Sequence, residues 1–462
     1  MPHPRNLSSA SRLDRDALIR HLENGCRPED QWKIGTEHEK YLFRLGDLTP
    51  LSYEEEGGIR DILMALQHFG WSPLEENGTV IGMLRADGAA ITLEPGGQLE
   101  LSGAQVDTLH QTCSEIATHR QQVQSVCTQY NAGFLGLGFH PTASREAIHW
   151  MPKERYRIMQ AYMPQKGSLG LDMMLRTCTV QVNLDYRSES DMVAKMRIGA
   201  ALQPLATALW ANSPFTEGKP NGFLSYRAHV WSQTDSDRCG LPKALFGDGF
   251  GFEKWVDYML DVPMYFVYRQ GRYIDASGQS FRDFMDGKLP ACPGEYPTEQ
   301  DWADHLSTAF PDIRLKQYIE MRGADGGPWE NLCALPAFWT GLLYDRDSLT
   351  AAMDIVKTWT HNDCLMLLKN ASRCGLATHV QGRSLQDIAQ DIIDIATAGL
   401  RRRAHLNAQG HDETHFLDPI RDIIDSGQTA AERLLKRYNA EPEQGLSWVF
   451  AQDSLGDNRL PR

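Results

Sequence analysis

The sequence of 462 residues contains no apolar run long enough to cross a bilayer. Its longest uncharged stretch, 198–216, is interrupted by Gln203, Pro204, Asn212, Ser213 and Pro214, which suits a buried helix and its exit. There is no basic tract either: 46 Lys and Arg stand against 60 Asp and Glu, a formal charge of −14. Nucleic-acid affinity comes largely from cations on phosphates, so neither a nucleic acid nor a membrane is expected as partner. No C-x-x-C pair occurs among the nine cysteines, whose odd number and wide spacing suit a reducing compartment and a cytoplasmic location. The opening run MPHPRNLSSASRLDRD lacks the apolar core of a secretory signal, while a removed organellar leader is left open. H-E-x-x-H, G-x-S-x-G and G-x-x-x-x-G-K-[ST] are all absent, so zinc-protease, serine-hydrolase and P-loop chemistry have no foothold.

What is present is ordinary globular composition, 42% hydrophobic and 23% charged, which excludes disordered, collagen-like and coiled-coil chains. Helical periodicity predicts helices over 55–69, 105–130, 190–211, 348–369 (with a break near Thr360), 384–403 and 430–438. Strand-like runs fall at 33–44, 91–102, 177–185, 264–268 and 317–322. Strands interspersed with long helices, without regular alternation, predict an α+β chain rather than a doubly wound sheet.

Side chains alternate faces along a strand, so parity sorts each run. In 177–185, Cys178, Val180, Val182 and Leu184 oppose Gln181 and Asn183. In 318–322, Ile319 and Met321 oppose Tyr318, Glu320 and Arg322. In 93–102, Leu93, Leu99 and Leu101 oppose Glu94, Gln98, Glu100 and Ser102, with Pro95-Gly96-Gly97 as a turn or bulge. Glu37 and Glu39 share a face with Tyr41 and Phe43, which sends His38 to the opposite side as a structural histidine.

For any one strand, a sheet with one face in water gives the same alternation. Glutamate is depleted in strands, however, and Glu37, Glu39, Glu94, Glu100 and Glu320 cluster in the most sheet-like runs. Carboxylates converging on one surface repel unless cations sit among them, and Mg²⁺ takes such oxygen ligands together with nucleotide phosphates. The pattern predicts a Mg²⁺–nucleotide site on the polar face of an antiparallel sheet, with Arg322 facing a phosphate. Arg155 and Arg227, cations among apolar residues, read equally as structural ion pairs or as clamps on a substrate carboxylate. Met173-Met174-Leu175 reads as core, and the glycine-rich runs at 246–252 and 323–329 read as loops, the second bordering the site.

The runs IGTEHEKYLF (34–43), LEPGGQLELSGA (93–104), MPQKGSLGLDMMLRTCTVQVNLD (163–185), NSPFTEGKPNGFLSYR (212–227), DVPMYFVYR (261–269) and YIEMRGADGGPWENLCALPAFWTGLLYD (318–345), in this order, resemble the glutamate–cysteine ligases of plants and proteobacteria. The resemblance covers 15–438. It implies a glutamine-synthetase-like carboxylate–amine ligase fold, an antiparallel sheet funnel surrounded by helices. The expected organisation is an extension over 1–14 and one catalytic domain over 15–455 with a helical C-terminal third. It also implies ATP-dependent joining of the glutamate side-chain carboxylate to the cysteine amine through γ-glutamyl phosphate, the first step of glutathione synthesis. The implied metal carboxylates are Glu37, Glu39, Glu94, Glu100 and Glu320. Gln181 and Asn183 match nucleotide or metal contacts, Arg322 matches the phosphate-facing arginine, and Arg322 and Glu320 are the implied catalytic residues. Arg155 and Arg227 match substrate-carboxylate arginines, and Tyr265 a wall of the cysteine pocket. ATP, glutamate and cysteine are the implied partners of a monomer or homodimer. Plant members carry two regulatory disulfides; Cys113 and Cys333 stand at one pair of positions. At the other, Ala276 replaces one partner and Cys292 is displaced by one residue, so that bridge is expected to be missing.

Three rival readings stay open at this point. They are a carboxylate–amine ligase with another amine acceptor, a nucleotide-binding regulatory protein without turnover, and a metal-dependent hydrolase.

Overall fold

The structure, a computed structural model, describes residues 12–454. Most of the expected 1–14 extension, and the expected domain end at 455, lie outside those residues. Within them, Leu13 is buried and the Asp14 side chain accepts from Ala17 N (2.7 Å), capping α1 (Arg15–Glu23).

Nine strands build the main sheet: β1 (Ile34–Arg44), β2 (Ser72–Glu76), β3 (Thr79–Leu84), β4 (Ala90–Leu93), β5 (Leu99–Ser102), β6 (Ala132–Leu135), β7 (Thr179–Leu184), β8 (Ile313–Leu315) and β9 (Ile319–Asp325). The order is β8-β9-β7-β1-β5-β4-β3-β2, with β6 paired to the C-terminal half of β1. Every pairing in it is antiparallel, and the sheet stays open. The 91–102 run is a hairpin rather than one bulged strand. Gly97 closes its turn at φ +81, and a Cβ on Gly96 would meet Leu175 O at 2.3 Å, so the Gly-Gly pair is demanded twice. The 264–268 run is not in this sheet; Phe266–Arg269 pairs only with Arg272–Asp275 in a separate hairpin.

Helices lie around the sheet: α2 (Leu109–Gln129), α3 (Glu154–Tyr162), α4 (Gly170–Arg176), α5 (Glu189–Leu209), α6 (Tyr226–Ser232), α7 (Glu299–Ser307), α8 (Trp329–Leu343), α9 (Arg346–Val356), α10 (His361–Cys374), α11 (Leu385–Arg403) and α12 (Ala430–Ala440). Of these, α2, α5 and α8 pack on the back of the sheet. The apolar parity set Val180, Val182 and Leu184 is fully buried there, in one core with Leu202, Leu205 and Leu335. A β-carbon at Gly199 of α5 would meet Ile313 Cδ1 at 2.3 Å, so the sheet's side chains pack directly on the helix backbone there. The expected 55–69 helix is shorter: Ile59–Ala65 is α-helical, Leu66–Phe69 tightens to a 3₁₀ turn, and left-handed Gly70 stops it. The break near Thr360 is real, since Thr360 opens α10 with a capping box.

His38 is buried on the back face, its ring 5.6 Å from His119 and 5.7 Å from Trp329. Beside it Lys40 Nζ lies 3.0 Å from His119 Nε2. Cys113 of α2 and Cys333 of α8 are disulfide-bonded, their Cα atoms 5.6 Å apart, and Cys292 is free.

Candidate active site

The sheet's polar face forms one wall of a cavity of about 970 Å³. Register aligns the parity sets across it. Glu37 stands opposite Gln181 on one side and Ser102 on the other. Glu39 stands opposite Glu100, and Glu320 opposite Asn183. Glu94, just past β4, joins them, so all five glutamates line the one cavity.

Like charges placed directly across a ladder destabilise it, and here Glu100 is buried and Glu39 half-buried. Burial, then Glu100 and Glu320, raises the Glu37 carboxyl above its usual range. Burial, then Glu94 and Glu100, raises Glu39 further, although its carboxylate accepts from Thr179 N at 3.0 Å. Burial with Glu100 pushes Glu94 up to about 7. The row is therefore short of positive charge.

Glu320 is different. Its carboxylate meets Arg314 Nε, Lys316 Nζ at 2.7 Å and Arg322 Nη1 at 3.7 Å. Burial by itself would raise its pKa, yet these three cations hold it well below the usual carboxylate range. Arg314 also donates to Ser307 O and Ala309 O, which ties β8 to the C-terminal end of α7. The parity reading missed Arg314 and Lys316, although they alternate with Ile313 and Leu315 in the sequence. Arg322 Nη1 donates to Gln181 Oε1 (2.7 Å), and Asn183 Nδ2 donates to Glu37 Oε1 (3.0 Å). Asn183 Oδ1 is left buried without a hydrogen-bond partner among the described residues.

The two candidate clamps face this row. Lys153 Nζ and Tyr156 OH both donate to Leu93 O, at 2.7 and 2.6 Å, tying α3 to the end of β4 and setting Arg155 in the cavity wall. Ser213 and Ser225 hydroxyls donate to the Asp325 carboxylate at the end of β9, at 2.6 and 2.7 Å. Ser225 caps α6, whose Arg227 donates to Arg322 O (3.0 Å) and also lines the cavity. One expectation needs correction. Tyr265 is buried behind the cavity: its hydroxyl donates to Met163 Sδ, Arg238 lies 3.9 Å over its ring, and only its neighbour Phe310 lines the wall. Met173 and Met174 belong to the buried core, as expected, and also border the cavity.

Oxygen donors of this kind suit a hard divalent cation. No group of three acidic, His or Cys side chains among the described residues is gathered tightly enough to hold an ion unaided. Mg²⁺ is commonly held by one or two carboxylates together with phosphate oxygens and water. The unpartnered Asn183 oxygen and the raised Glu37, Glu39 and Glu94 carboxyls are oxygen donors that a hard cation would suit.

The same architecture occurs in a crystal structure of glutamate–cysteine ligase from Francisella tularensis in complex with AMP, at a TM-score of 0.52 and 13% identity, over 92% of this chain and 89% of that one. The fold is that of the glutamine-synthetase-like carboxylate–amine ligases. Within that class the chain belongs to glutamate–cysteine ligase family 2, whose model matches residues 33–449. The chloroplastic glutamate–cysteine ligase of Brassica juncea is 52% identical over 441 residues, 95% of this chain and 84% of that protein. That of Arabidopsis thaliana is 52% identical over 95% of this chain and 83% of that protein. The cytoplasmic expectation is thereby corrected, because relatives at this identity are named as chloroplast enzymes; wide cysteine spacing reports redox chemistry, not an address. No helix among the described residues is long and apolar enough to cross a membrane.

Proposed function

We propose that this cavity joins the side-chain carboxylate of glutamate to the amine of cysteine at the expense of ATP. The observation that supports it most is that the row of five glutamates lines one cavity together with Arg155, Arg227 and Arg322. The family carries the reaction itself: this is an ATP-dependent glutamate–cysteine ligase. A carboxylate is a poor electrophile, so its oxygen first attacks the γ-phosphorus of ATP, the bond to ADP breaks, and γ-glutamyl phosphate forms. The cysteine nitrogen then attacks the acyl carbon, phosphate leaves with the carbon–oxygen bond electrons, and the nitrogen loses its proton. Catalysis of this kind is positioning and charge stabilisation, which needs no nucleophilic Ser or Cys.

In our reading Glu37, Glu39, Glu94 and Glu100 hold Mg²⁺, which supplies charge neutralisation for the triphosphate when bound. Glu320 takes a positioning part as well: it orients Arg314, Lys316 and Arg322, and Arg322 faces the transferring phosphate. Arg155 and Arg227 bind the glutamate α-carboxylate. Gln181 holds Arg322, and Asn183 offers its free oxygen to the metal–nucleotide. The chain from 15 to 455 acts as one catalytic unit on small-molecule substrates. Purified protein with ATP, Mg²⁺ and glutamate should release phosphate on addition of cysteine. A larger response to another amine would reassign the acceptor, and release without any amine would make the protein a hydrolase.

A further inference from the structure

Asp325 ends β9 with its carboxylate fully buried, a placement that costs free energy unless the oxygens are well partnered. Three donors converge on it: Ser213 Oγ at 2.6 Å, Ser225 Oγ at 2.7 Å and Asn212 N at 2.9 Å. A hydroxyl has one proton, so each serine that donates it to Asp325 turns its lone pairs elsewhere. Both turn them to the first turn of α6. There Ser213 Oγ accepts from Arg227 N at 3.1 Å, and Ser225 Oγ from Ala228 N at 3.2 Å. The guanidinium of Arg227 is held from the same strand, because its Nη2 donates to Arg322 O. β9 thus grips Arg227 twice, by its main chain through Asp325 and by its side chain through Arg322. The grip leaves Nε of this cavity-lining arginine buried and without a hydrogen-bond partner among the described residues. The packing has no slack, since a Cβ on Gly138 would stand 2.4 Å from Asp325 Cγ.

We propose that Asp325 is a positioning residue for Arg227: by fixing the direction of two hydroxyls it sets where the guanidinium meets the α-carboxylate of glutamate. This rests on the assignment of Arg227 to glutamate above and adds the residue that aims it. An asparagine would fill the same space without burying a charge, yet it could not hold both hydroxyls. Its amide has one oxygen and one NH₂, so only one side receives the converging protons, and the other meets the Ser225 hydroxyl with a second donor. The Ser225 proton then has no acceptor at this contact, and the hydroxyl is free to rotate away from Ala228 N. Ser225 caps α6, and Arg227 is the second residue of that helix, so a loosened cap moves Arg227 with it. A misplacement of about 1 Å in such a clamp costs up to roughly a hundredfold in rate.

The test uses the full chain and cysteine-dependent phosphate release. Asp325→Asn should raise the KM for glutamate tenfold, about 1.4 kcal/mol, leaving the KM values for ATP and cysteine within twofold. Ser225→Ala should raise the same KM, and Ser225→Thr, which keeps the hydroxyl, should restore it. Because the carboxylate acts through Arg227, Asp325→Asn combined with Arg227→Lys should match Arg227→Lys alone within twofold, where independent effects would multiply. A carboxylate with a packing role only would lower the urea midpoint and produce neither the KM split nor the non-additivity. A glutamate KM within twofold of wild type in Asp325→Asn, equal rises for all three substrates, or multiplying effects in the double variant each overturn the proposal. If Asp325→Asn does not fold, Ser225→Ala and its combination with Arg227→Lys decide by the same criteria. If Arg227→Lys by itself leaves the glutamate KM unchanged, the assignment of Arg227 fails and the proposal falls with it. If wild-type protein gives no amine-dependent phosphate release at all, it is the ligase reading that fails, and calorimetric Kd values for glutamate in the same variants still decide: a tenfold weaker Kd in Asp325→Asn that does not add to Arg227→Lys supports the proposal, and an equal Kd refutes it.

Discussion

Glu37→Gln and Glu320→Gln remove one charge each from the same cavity wall, yet the structure assigns them opposite effects on stability. Glu37 faces Glu100 and Glu320 with no cation at ion-pair distance among the described residues, and its ionised form is disfavoured. Neutralising it in metal-free protein should stabilise the fold by about 1 kcal/mol, the scale of one relieved like-charge contact. Glu320 is the anion on which three cations converge, Lys316 at 2.7 Å and Arg322 at 3.7 Å with Arg314 closer still. Its neutralisation leaves buried positive charges facing one another, a change that typically costs about 3–5 kcal/mol. Urea unfolding in a chelator, with the slope m checked to be unchanged, reads both signs. Each variant should also lose at least a hundredfold in kcat/KM at saturating Mg²⁺, Glu37 through the metal and Glu320 through Arg322. Equal shifts of the same sign would refute the division of the row into uncompensated and compensated carboxylates. Near-normal turnover in both would refute the site.

Arg227→Lys should raise the KM for glutamate roughly tenfold, because an ammonium cannot replace a planar fork on a carboxylate; steady-state kinetics check it. Arg314→Met should destabilise by about 3 kcal/mol or more in urea unfolding, since it removes one of the three cations on buried Glu320 and leaves Ser307 O and Ala309 O without their donor. Reduction of the Cys113–Cys333 bond, which closes a 220-residue separation, should cost about 2–5 kcal/mol and add two alkylation adducts by mass. Burial lowers Lys40 from 10.5 to about 7. The unfolded chain thus binds more protons between those values, and stability should rise with pH across that window. Lys40→Met should flatten the rise and be the more stable protein near pH 7, by a few kcal/mol; urea midpoints against pH check it.

The polar face was legible because strand parity is a strict period of two. Gln181, Asn183, Glu100 and Glu320 fell where alternation put them, and His38 fell behind. Register was not legible, because it depends on which strands pair. Glu39 meeting Glu100 could not be read from either strand alone. Arg314 and Lys316 escaped because β8 is three residues long, although the Ile313-Arg314-Leu315-Lys316 alternation carried the signal. Tyr265 was placed by resemblance alone; its run forms a strand only from Phe266, in a separate hairpin, and Tyr265 sits behind the cavity. Met173 and Met174 show why apolar side chains do not separate core from cavity lining: both are buried, and composition is blind to whether the neighbour is protein or ligand.

Isotope transfer probes the chemistry assigned to this wall most directly. Glutamate labelled with ¹⁸O in its side-chain carboxylate is incubated with ATP, Mg²⁺ and cysteine, and the released phosphate is analysed by mass. Passage through γ-glutamyl phosphate delivers one labelled oxygen to each phosphate released, in step with γ-glutamylcysteine formed. Unlabelled phosphate accompanying the same product would contradict it.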